Sequence, residues 1–246
     1  MHMQQTPKLK YPRILLKLSG EALMGKENNA SIFDQPTINS IIIQIKQLIE
    51  LGVKLGIVIG GGNIFRGING TATLGLHSAN ADYMGMLATI MNGIAFKDFL
   101  TNSGVKSKIY SALTITNIVK GYNRDSMMGR LEDGNVIIFA GGTGNPYFTT
   151  DSAAALRAIE MKADLLIKAT KVDGVYTADP MLDRLATKYA KISFTDVIQQ
   201  NLKVMDMAAF DLCRQHKINI DVCNIFNPNS LFDSALGNTQ GTLIHA

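Results

Sequence analysis

Two lysines lie in apolar surroundings where a charged side chain is unusual. Lys17 lies in the run RILLKL at 13–18, and Lys168 lies in DLLIKA at 164–169. An ammonium group near the end of a buried strand is costly unless it contacts an anion or reaches a cleft. Either lysine alone is most simply an edge residue whose ammonium group extends to water. Two of them at strand ends that face one crevice favour a phosphate-binding site.

A stretch at 136–160 could bind the same anion. Its sequence, VIIFAGGTGNPYFTTDSAAALRAIE, has an apolar run typical of a strand buried on both faces, then glycines, then helix formers. A glycine turn before a helix start binds anions through backbone N–H groups and the positive helix end. The simpler alternative is a connection that Asp151 caps, although ten residues are more than a cap requires. A mere N-cap is the simpler role for Asp151; we predict that it organises the two ammonium groups or Mg²⁺, beyond capping its helix.

Three glycine turns follow apolar strands, at Ser19–Gly20, Gly60–Gly62 and Gly141–Gly144. In an open α/β sheet, ligands bind beyond the carboxyl ends of the strands, so these turns are predicted to converge on one crevice. None of the turns matches the Walker pattern GxxxxGK[ST] or the GxGxxG fingerprint. Lysines and a carboxylate at such a crevice suit phosphoryl transfer, in which catalysis is mostly positioning and neutralisation of charge.

Other functions have less support. The four histidines are scattered, and Cys213 and Cys223 lack a metal-ligand spacing, which favours buried thiols in a reducing, cytoplasmic setting. The net charge of +4 fits phosphate-bearing small substrates, and no dense Lys/Arg stripe indicates nucleic acid. No apolar run approaches the roughly 18 residues of a membrane span, and residues 1–13 lack the apolar region of a secretory signal.

Helix and strand patterns alternate along the whole chain. Strands are predicted at 13–18, 56–59, 106–111, 136–140, 164–169 and 218–226. Helices are predicted at 38–49, 82–100, 153–162, 195–201, 203–217 and 228–236. Because no composition break interrupts this alternation, residues 1–246 are predicted to form one three-layer α/β/α domain with a mainly parallel sheet, in which 1–12 are a flexible N-terminal segment.

Six blocks of the sequence are similar to motifs of a known protein family. They are KLSGEAL (17–23), IGGGNIFRG (59–67), MGMLATIMNG (84–93), GTGNPYFTTDSAA (142–154), KATKVDGVYTADP (168–180) and KVMDMAAF (203–210). Together they resemble the bacterial UMP kinases of the amino-acid-kinase family, in which TGNPYFTTD is peculiar to the UMP kinases. The match is thinner at 97–132, and the loop at 24–31 is shorter than in many relatives.

The resemblance implies the amino-acid-kinase fold and the reaction ATP + UMP → ADP + UDP in pyrimidine nucleotide biosynthesis, catalysed by a cytoplasmic homohexamer. The implied catalytic residues are Lys17, Arg66, Asp151 and Lys168. The implied ATP-binding residues are Lys17, Leu18, Ser19, Gly20, Gly62, Arg66, Thr170, Tyr176 and Asp179. The implied UMP-binding residues are Gly61, Asp82, Thr143, Gly144, Asn145, Pro146, Tyr147, Phe148, Thr149 and Thr150. Asp206 would be an accessory acid, and Mg²⁺ would be bound mainly through the ATP phosphates, with Asp151 as a candidate ligand.

The resemblance also leads to expectations about regulation by UTP and GTP, and two alternative functions remain to be compared with it. UTP is expected to inhibit at the UMP site, whereas GTP activation is expected to be weak, because Lys97, Thr101 and Lys108 replace arginines and a histidine of GTP-activated relatives. A carboxylate or carbamate kinase of the same fold is one alternative, but such relatives lack TGNPYFTT. A non-catalytic oxyanion-binding relative is another, and it would be expected to lack the two lysines.

Overall fold

The computed structural model describes residues 8–24, 31–65, 75–180, 182–183 and 185–246. Within these residues, eight strands form one sheet. They are β1 (Arg13–Leu18), β2 (Lys54–Ile59), β3 (Ser107–Ser111), β4 (Val136–Ala140), β5 (Leu165–Thr170), β6 (Lys191–Ser193), β7 (Asn219–Asn224) and β8 (Thr242–His245). The strand order is β3-β4-β2-β1-β5-β7-β8-β6. Neighbouring strands pair in parallel except β7 and β8, which are antiparallel.

Seven α-helices of the described part of the chain cover the two faces of this sheet. They are α1 (Gln35–Glu50), α2 (Ser78–Asn102), α3 (Arg124–Glu132), α4 (Thr150–Glu160), α5 (Phe194–Gln199), α6 (Met207–Gln215) and α7 (Ser230–Leu236). Buried side chains of α1, α2 and α7 pack in one core with one face of β1, and those of α3 to α6 pack in a second core with the other face. The predicted three-layer arrangement with a mainly parallel sheet is confirmed.

Of the described α-helices and strands, three were not predicted from the sequence. They are α3, β6 and β8. In α3, only Met127 and Leu131 are buried, so its nine residues have too few apolar positions to show a helical period. The strands β6 and β8 contain three and four residues, which is too short for an alternating pattern to stand out. None of the described helices is long and apolar enough to cross a membrane.

The order of the strands determines where in the sheet a binding crevice opens. The chain builds β2, β3 and β4 on one side of β1 and then crosses to β5 on the other side, so the order reverses between β1 and β5. Such a switch point opens a crevice at the carboxyl ends of the strands. In the parallel register of β1 and β5, Lys17 pairs directly with Lys168. Both side chains therefore point to the face of the sheet on which α4 and α6 pack.

Strand β7 contains a buried carboxyl group, Asp221, which is 1% exposed. Thr239 Oγ donates a hydrogen bond to Asp221 Oδ1 at 2.8 Å. Asp221 Oδ2 is buried and has no hydrogen-bond partner among the described residues. This burial raises the pKa of Asp221 from 3.8 to about 6.

We expect Asp221→Asn to stabilise the protein at neutral pH. The pKa of Asp221 is higher in the folded than in the unfolded state, so the folded protein binds this proton more tightly. The resulting stabilisation is present in full below the unfolded pKa and is lost as pH rises through about 6. Each pKa unit corresponds to about 1.4 kcal/mol, so an amide that cannot ionise should raise the free energy of unfolding by about 3 kcal/mol at about pH 7. Urea unfolding of both proteins between about pH 4 and pH 8 measures this. The same pH dependence in both would contradict the prediction.

Candidate active site

Asp151 lies between the two lysines. Lys17 Nζ is 2.8 Å from Asp151 Oδ1, and Lys168 Nζ is 2.7 Å from Asp151 Oδ2. Lys168 Nζ also donates to the carbonyl oxygen of Val204 at 2.6 Å. The three charged side chains are between 12% and 15% exposed. This Lys17–Asp151–Lys168 cluster has two positive charges and one negative charge, so it attracts a further anion.

The charges of the cluster shift two pKa values. Burial by itself raises the pKa of Asp151, but Lys17 and Lys168 outweigh burial and hold that pKa below its ordinary value. Burial lowers the pKa of Lys168, the neighbouring Lys17 lowers it further, and Asp151 only partly offsets both. Asp151 is thus a stable anion, and Lys168 is an ammonium group that a substrate phosphate would stabilise.

Thr149 caps α4, so the simpler alternative of Asp151 as the cap is wrong, as is the part of the prediction in which Asp151 caps the helix. Thr149 Oγ accepts hydrogen bonds from the backbone N–H of Asp151 at 3.0 Å and of Ser152 at 3.3 Å. A hydroxyl just before the first turn is a favoured cap because it satisfies N–H groups that lack helical partners. Asp151 lies within the first turn, where the helix dipole favours its negative charge. Its carboxylate does not cap the helix and contacts the two lysines instead.

Asp206 joins the starts of two helices. It caps α6 by accepting from the N–H of Ala209 at 2.8 Å. Its carboxylate also accepts from Ser152 Oγ at 3.0 and 3.1 Å and from Thr149 Oγ. Its negative charge partly offsets the lowering of the Lys168 pKa. The structure therefore gives Asp206 a capping and bracing position at the start of α4.

The turns that follow β1 and β2 are packed against each other. The N–H of Gly60 donates to the carbonyl of Leu18 at 2.9 Å. A Cβ added to Gly20 would lie 2.5 Å from Asn63 Oδ1 and 2.7 Å from the Gly60 carbonyl oxygen. Any side chain at Gly20 would push the two turns apart, so this close approach requires glycine.

The third glycine turn, after β4, is attached to α2. Gly141 has φ of 76°, a value that favours glycine, and its N–H donates to Thr89 Oγ at 2.8 Å. Further along the same loop, the N–H of Tyr147 donates to Asp82 Oδ2 at 2.8 Å. Helix α2 thus fixes both ends of the loop that precedes α4.

Two cavities of about 480 Å³ each lie beside the cluster. The first, which we name the β5 cavity, is lined by Lys168 and Thr170 together with residues of 172–180 and 200–204. The second, the α2 cavity, is lined by the inner side of α2, by the Gly60–Gly62 turn and by Thr149 and Thr150. Because Lys168 borders the first and Thr150 adjoins Asp151 at the second, the cluster lies between them. Each volume is that of a small-molecule site.

Comparison with known proteins gives the family. The model of the amino acid kinase family matches residues 12–224. The chain belongs to the amino acid kinase family. A uridylate kinase of Vibrio vulnificus (strain YJ016) is 50% identical over 244 residues, which are 99% of this chain and 100% of that protein. The resemblance to the bacterial UMP kinases is thereby confirmed.

Solved structures of amino acid kinases agree with the fold described above. A UMP kinase from Bacillus anthracis has a TM-score of 0.91 and 36% identity, with 96% of each chain covered. A UMP kinase from Ureaplasma parvum has a TM-score of 0.90 and 38% identity, with 97% of this chain and 100% of that chain covered. The predicted amino-acid-kinase fold is confirmed.

The residues predicted for ATP divide between three places. Thr170, Tyr176 and Asp179 line the β5 cavity. Lys17 and Leu18 end β1, and Ser19 and Gly20 form the turn that follows it. Gly62 lines the α2 cavity instead. Arg66 lies outside the described residues.

The residues predicted for UMP in this amino acid kinase fall into two groups. Those that line the α2 cavity are Gly61, Asp82, Phe148, Thr149 and Thr150. Those of the preceding loop that do not line it are Thr143, Gly144, Asn145, Pro146 and Tyr147. The hydroxyl of Thr149 is already engaged as a cap and by Asp206, so it is a weaker candidate for a base contact than the sequence suggested.

Sequence reasoning missed several residues of the two cavities. In the α2 cavity they include Glu21, Phe65, Met86 and Thr89. In the β5 cavity they include Val172, Gln200, Asn201, Leu202 and Lys203. The block KVMDMAAF at 203–210 was a signal for the second group, because a family motif directly after 200–202 suggests that this loop adjoins the site.

Proposed function

We propose that this chain is a UMP kinase, which transfers the γ-phosphoryl group of ATP to UMP and gives UDP and ADP. The observation that carries the proposal is the pair of cavities on either side of the Lys17–Asp151–Lys168 cluster. A kinase for a nucleotide acceptor needs two adjoining nucleotide sites whose phosphates meet at positive charge. The uridylate kinase relative at 50% identity supports the choice of acceptor.

We assign ATP to the β5 cavity and UMP to the α2 cavity. Tyr176 donates its hydroxyl to Asp173 at 2.6 Å, which fixes its ring at the wall of the β5 cavity for contact with adenine or ribose. Asp82 lies in the α2 cavity, where its carboxylate can accept from ribose hydroxyls. In these positions, the β- and γ-phosphates reach Lys168 and the UMP phosphate lies near the Gly60–Gly62 turn.

In this mechanism, the lysines act through charge. Negative charge spreads over the moving phosphoryl group in the transition state, and the two ammonium groups of Lys17 and Lys168 stabilise it. Asp151 holds both groups at fixed positions, which lowers the cost of arranging them during the reaction. Arg66 would add a bidentate phosphate donor.

Mg²⁺ fits this site as an ion bound through the ATP phosphates. The described residues contain no cluster of three or more His, Cys, Asp or Glu side chains that could hold a metal ion. Asp151 is the anionic group of the cluster at which we place the phosphates, and both of its oxygens face lysines. Mg²⁺ commonly keeps several waters and binds nucleotide phosphates with one or two carboxylates. When bound, it would neutralise charge on the ATP phosphates.

We expect UMP to be strongly preferred over CMP, dUMP and GMP as the acceptor. Asn145 is exposed in the loop that precedes Thr149 and Thr150 of the α2 cavity, so its amide is available to a uracil edge that extends from the cavity, and Thr150 offers a hydroxyl in the lining. A site that hydrogen-bonds one base rejects analogues by up to about 10⁴-fold, since mismatched polar groups are left unpaired. A coupled assay of ADP release with each acceptor tests both the proposed function and this preference. A similar kcat/KM for CMP and UMP would contradict the predicted preference for UMP.

We propose that the protein self-associates, as a homohexamer in the cytoplasm, and that UTP competes with UMP at the α2 cavity. One face of α2 supports the first proposal. Tyr83, Met84, Leu87 and Met91 lie on one side of this helix and are each between 41% and 54% exposed. No charged residue occurs from 83 to 96. An uncharged apolar face on a long helix suits a second copy of itself, because no like charges meet across the two-fold axis.

We therefore expect Met91→Glu to lower the mass of the assembly in solution. The substitution would bury a carboxylate in the proposed interface, which is unfavourable without a partner. Light scattering after gel filtration measures the mass. Ile43→Glu on α1 is the matched control, because Ile43 is 59% exposed and lies outside this face. An unchanged mass for Met91→Glu would remove α2 from the interface.

A further inference from the structure

Two asparagine side chains form a closed pair against the Gly60–Gly62 turn. Asn92, on the inner face of α2, is 0% exposed, and Asn63, just after the turn, is 9% exposed. Asn92 Nδ2 donates to Asn63 Oδ1 at 2.7 Å, and Asn63 Nδ2 donates to Asn92 Oδ1 at 3.1 Å. Each amide therefore binds the other in both directions.

The remaining N–H groups of the pair bind two backbone carbonyls. Asn92 Nδ2 donates to the Gly60 oxygen at 2.7 Å, and Asn63 Nδ2 donates to the Ile32 oxygen at 3.0 Å. All four amide N–H donors are thus used. Turning either amide by a half rotation would place oxygen against oxygen, so the network has one orientation. The pair links α2, the turn after β2 and the segment before α1 at fixed distances.

The place of the pair suggests more than packing. An added Cβ on Gly20 would lie 2.5 Å from Asn63 Oδ1, so the pair also limits how closely the turn after β1 approaches. Gly61 and Gly62 line the α2 cavity, whereas Asn63 and Asn92 do not. Burying two amides gains little over burying apolar side chains of the same shape. Their use here is therefore better explained by the geometry that they impose on the turn.

We propose that Asn92 and Asn63 are positioning residues for phosphoryl transfer. They hold the Gly60–Gly62 turn at the separation from Ser19–Gly20 that sets the acceptor phosphate in line with the ATP γ-phosphate. They act through the Gly60 carbonyl and touch no substrate. The inference rests on the proposed function, because it requires a nucleotide acceptor in the α2 cavity.

The test is Asn92→Leu, which keeps the size of the side chain and removes both donors. A misplacement of about 1 Å at a reacting group can lower a rate about 10²-fold, and we expect a loss of kcat of this order. KM for ATP should stay within about twofold, since other elements line the β5 cavity. Phe96→Leu is the matched control: Phe96 is also 0% exposed and lies one turn further along α2. We expect it to lower Tm at least as much while kcat stays within about twofold of the unmodified protein.

Asn63→Ala is the second variant. It leaves the bond from Asn92 to Gly60 in place but removes the partner that orients Asn92, so kcat should fall by an intermediate factor. A kcat near that of the unmodified protein in Asn92→Leu, or an equal loss in Phe96→Leu, would overturn the proposal. Failure of both asparagine variants to fold would assign the pair to stability and would overturn it also. If the unmodified protein itself did not phosphorylate UMP, the proposed function would fail first.

Discussion

Replacing Lys17 or Lys168 with alanine is expected to lower kcat about 10²–10³-fold, because removing one donor from a developing negative charge typically has that effect. The two ammonium groups are adjacent in register and share Asp151, so neither can take over the position of the other. Stability should change much less. Loss of one lysine leaves Asp151 with one remaining partner, and the buried net charge of the cluster falls to zero.

Initial rates and thermal melts on both variants decide this prediction. Lys191→Ala is the matched control, since Lys191 is an exposed lysine on the edge strand β6. We expect the control to keep its kcat and all three variants to melt close to the unmodified protein. A near-normal kcat in either Lys17→Ala or Lys168→Ala would return that lysine to the simpler explanation of an edge residue that reaches water.

The two lysines were identifiable from sequence because a charge within a leucine run is costly and so needs a reason. Their distance from each other was not identifiable. It depends on β5 pairing with β1 in the register that sets Lys168 opposite Lys17, although the two residues are separated by most of the chain. Strand order is decided by the packing of all the helices, and a local pattern contains no information about it.

The start of α4 shows a different limit. Four successive residues, Thr149 to Ser152, are all good helix starters, so composition cannot choose the cap among them. The choice is made by the surroundings: the buried lysines attract the carboxylate of Asp151, and Asp206 binds the hydroxyl of Thr149. Asp206 was found through its motif, but its bracing contacts were not foreseeable because they join helices that are far apart in sequence.

The asparagine pair was missed for a third reason. Polar residues in a helical pattern usually face water, so the sequence gives no reason to expect Asn92 on the buried side of α2. In the structure it is fully buried because Asn63 and the Gly60 carbonyl satisfy its amide. A polar residue is recognised as buried only when its partner is known, and the partner here lies in another element.

Asp151→Asn is expected to lower kcat about 10²-fold, since the ammonium groups lose the anion that fixes their positions. If Asp151 were the cap of α4, asparagine could replace it with little change in Tm, because asparagine caps a helix as well as aspartate. The cap is Thr149, so this reason for an unchanged Tm does not apply. Asp151→Asn leaves two buried ammonium groups side by side without the carboxylate that both contact, so we expect a lower Tm as well.

The direction in which the Tm of Asp151→Asn changes with pH follows from the pKa of Lys168. Burial and the neighbouring charge already lower the pKa of Lys168, and loss of Asp151 would lower it further. A lysine whose folded pKa is depressed contributes stability that is lost as pH falls through that pKa. Raising the pH from about 7 to about 9 should therefore recover more Tm in Asp151→Asn than in the unmodified protein.

A double variant separates stability from catalysis. Adding Lys17→Met to Asp151→Asn removes one of the two unpaired charges and keeps most of the apolar stem, so Tm should recover at about pH 7. The rate should stay low, because both the anion and one donor are then missing. Thermal melts and kcat on the unmodified protein, the single variant and the double variant provide the comparison. If Asp151→Asn kept its kcat, or if the double variant regained activity together with Tm, the aspartate would serve the fold rather than the placement of the lysines.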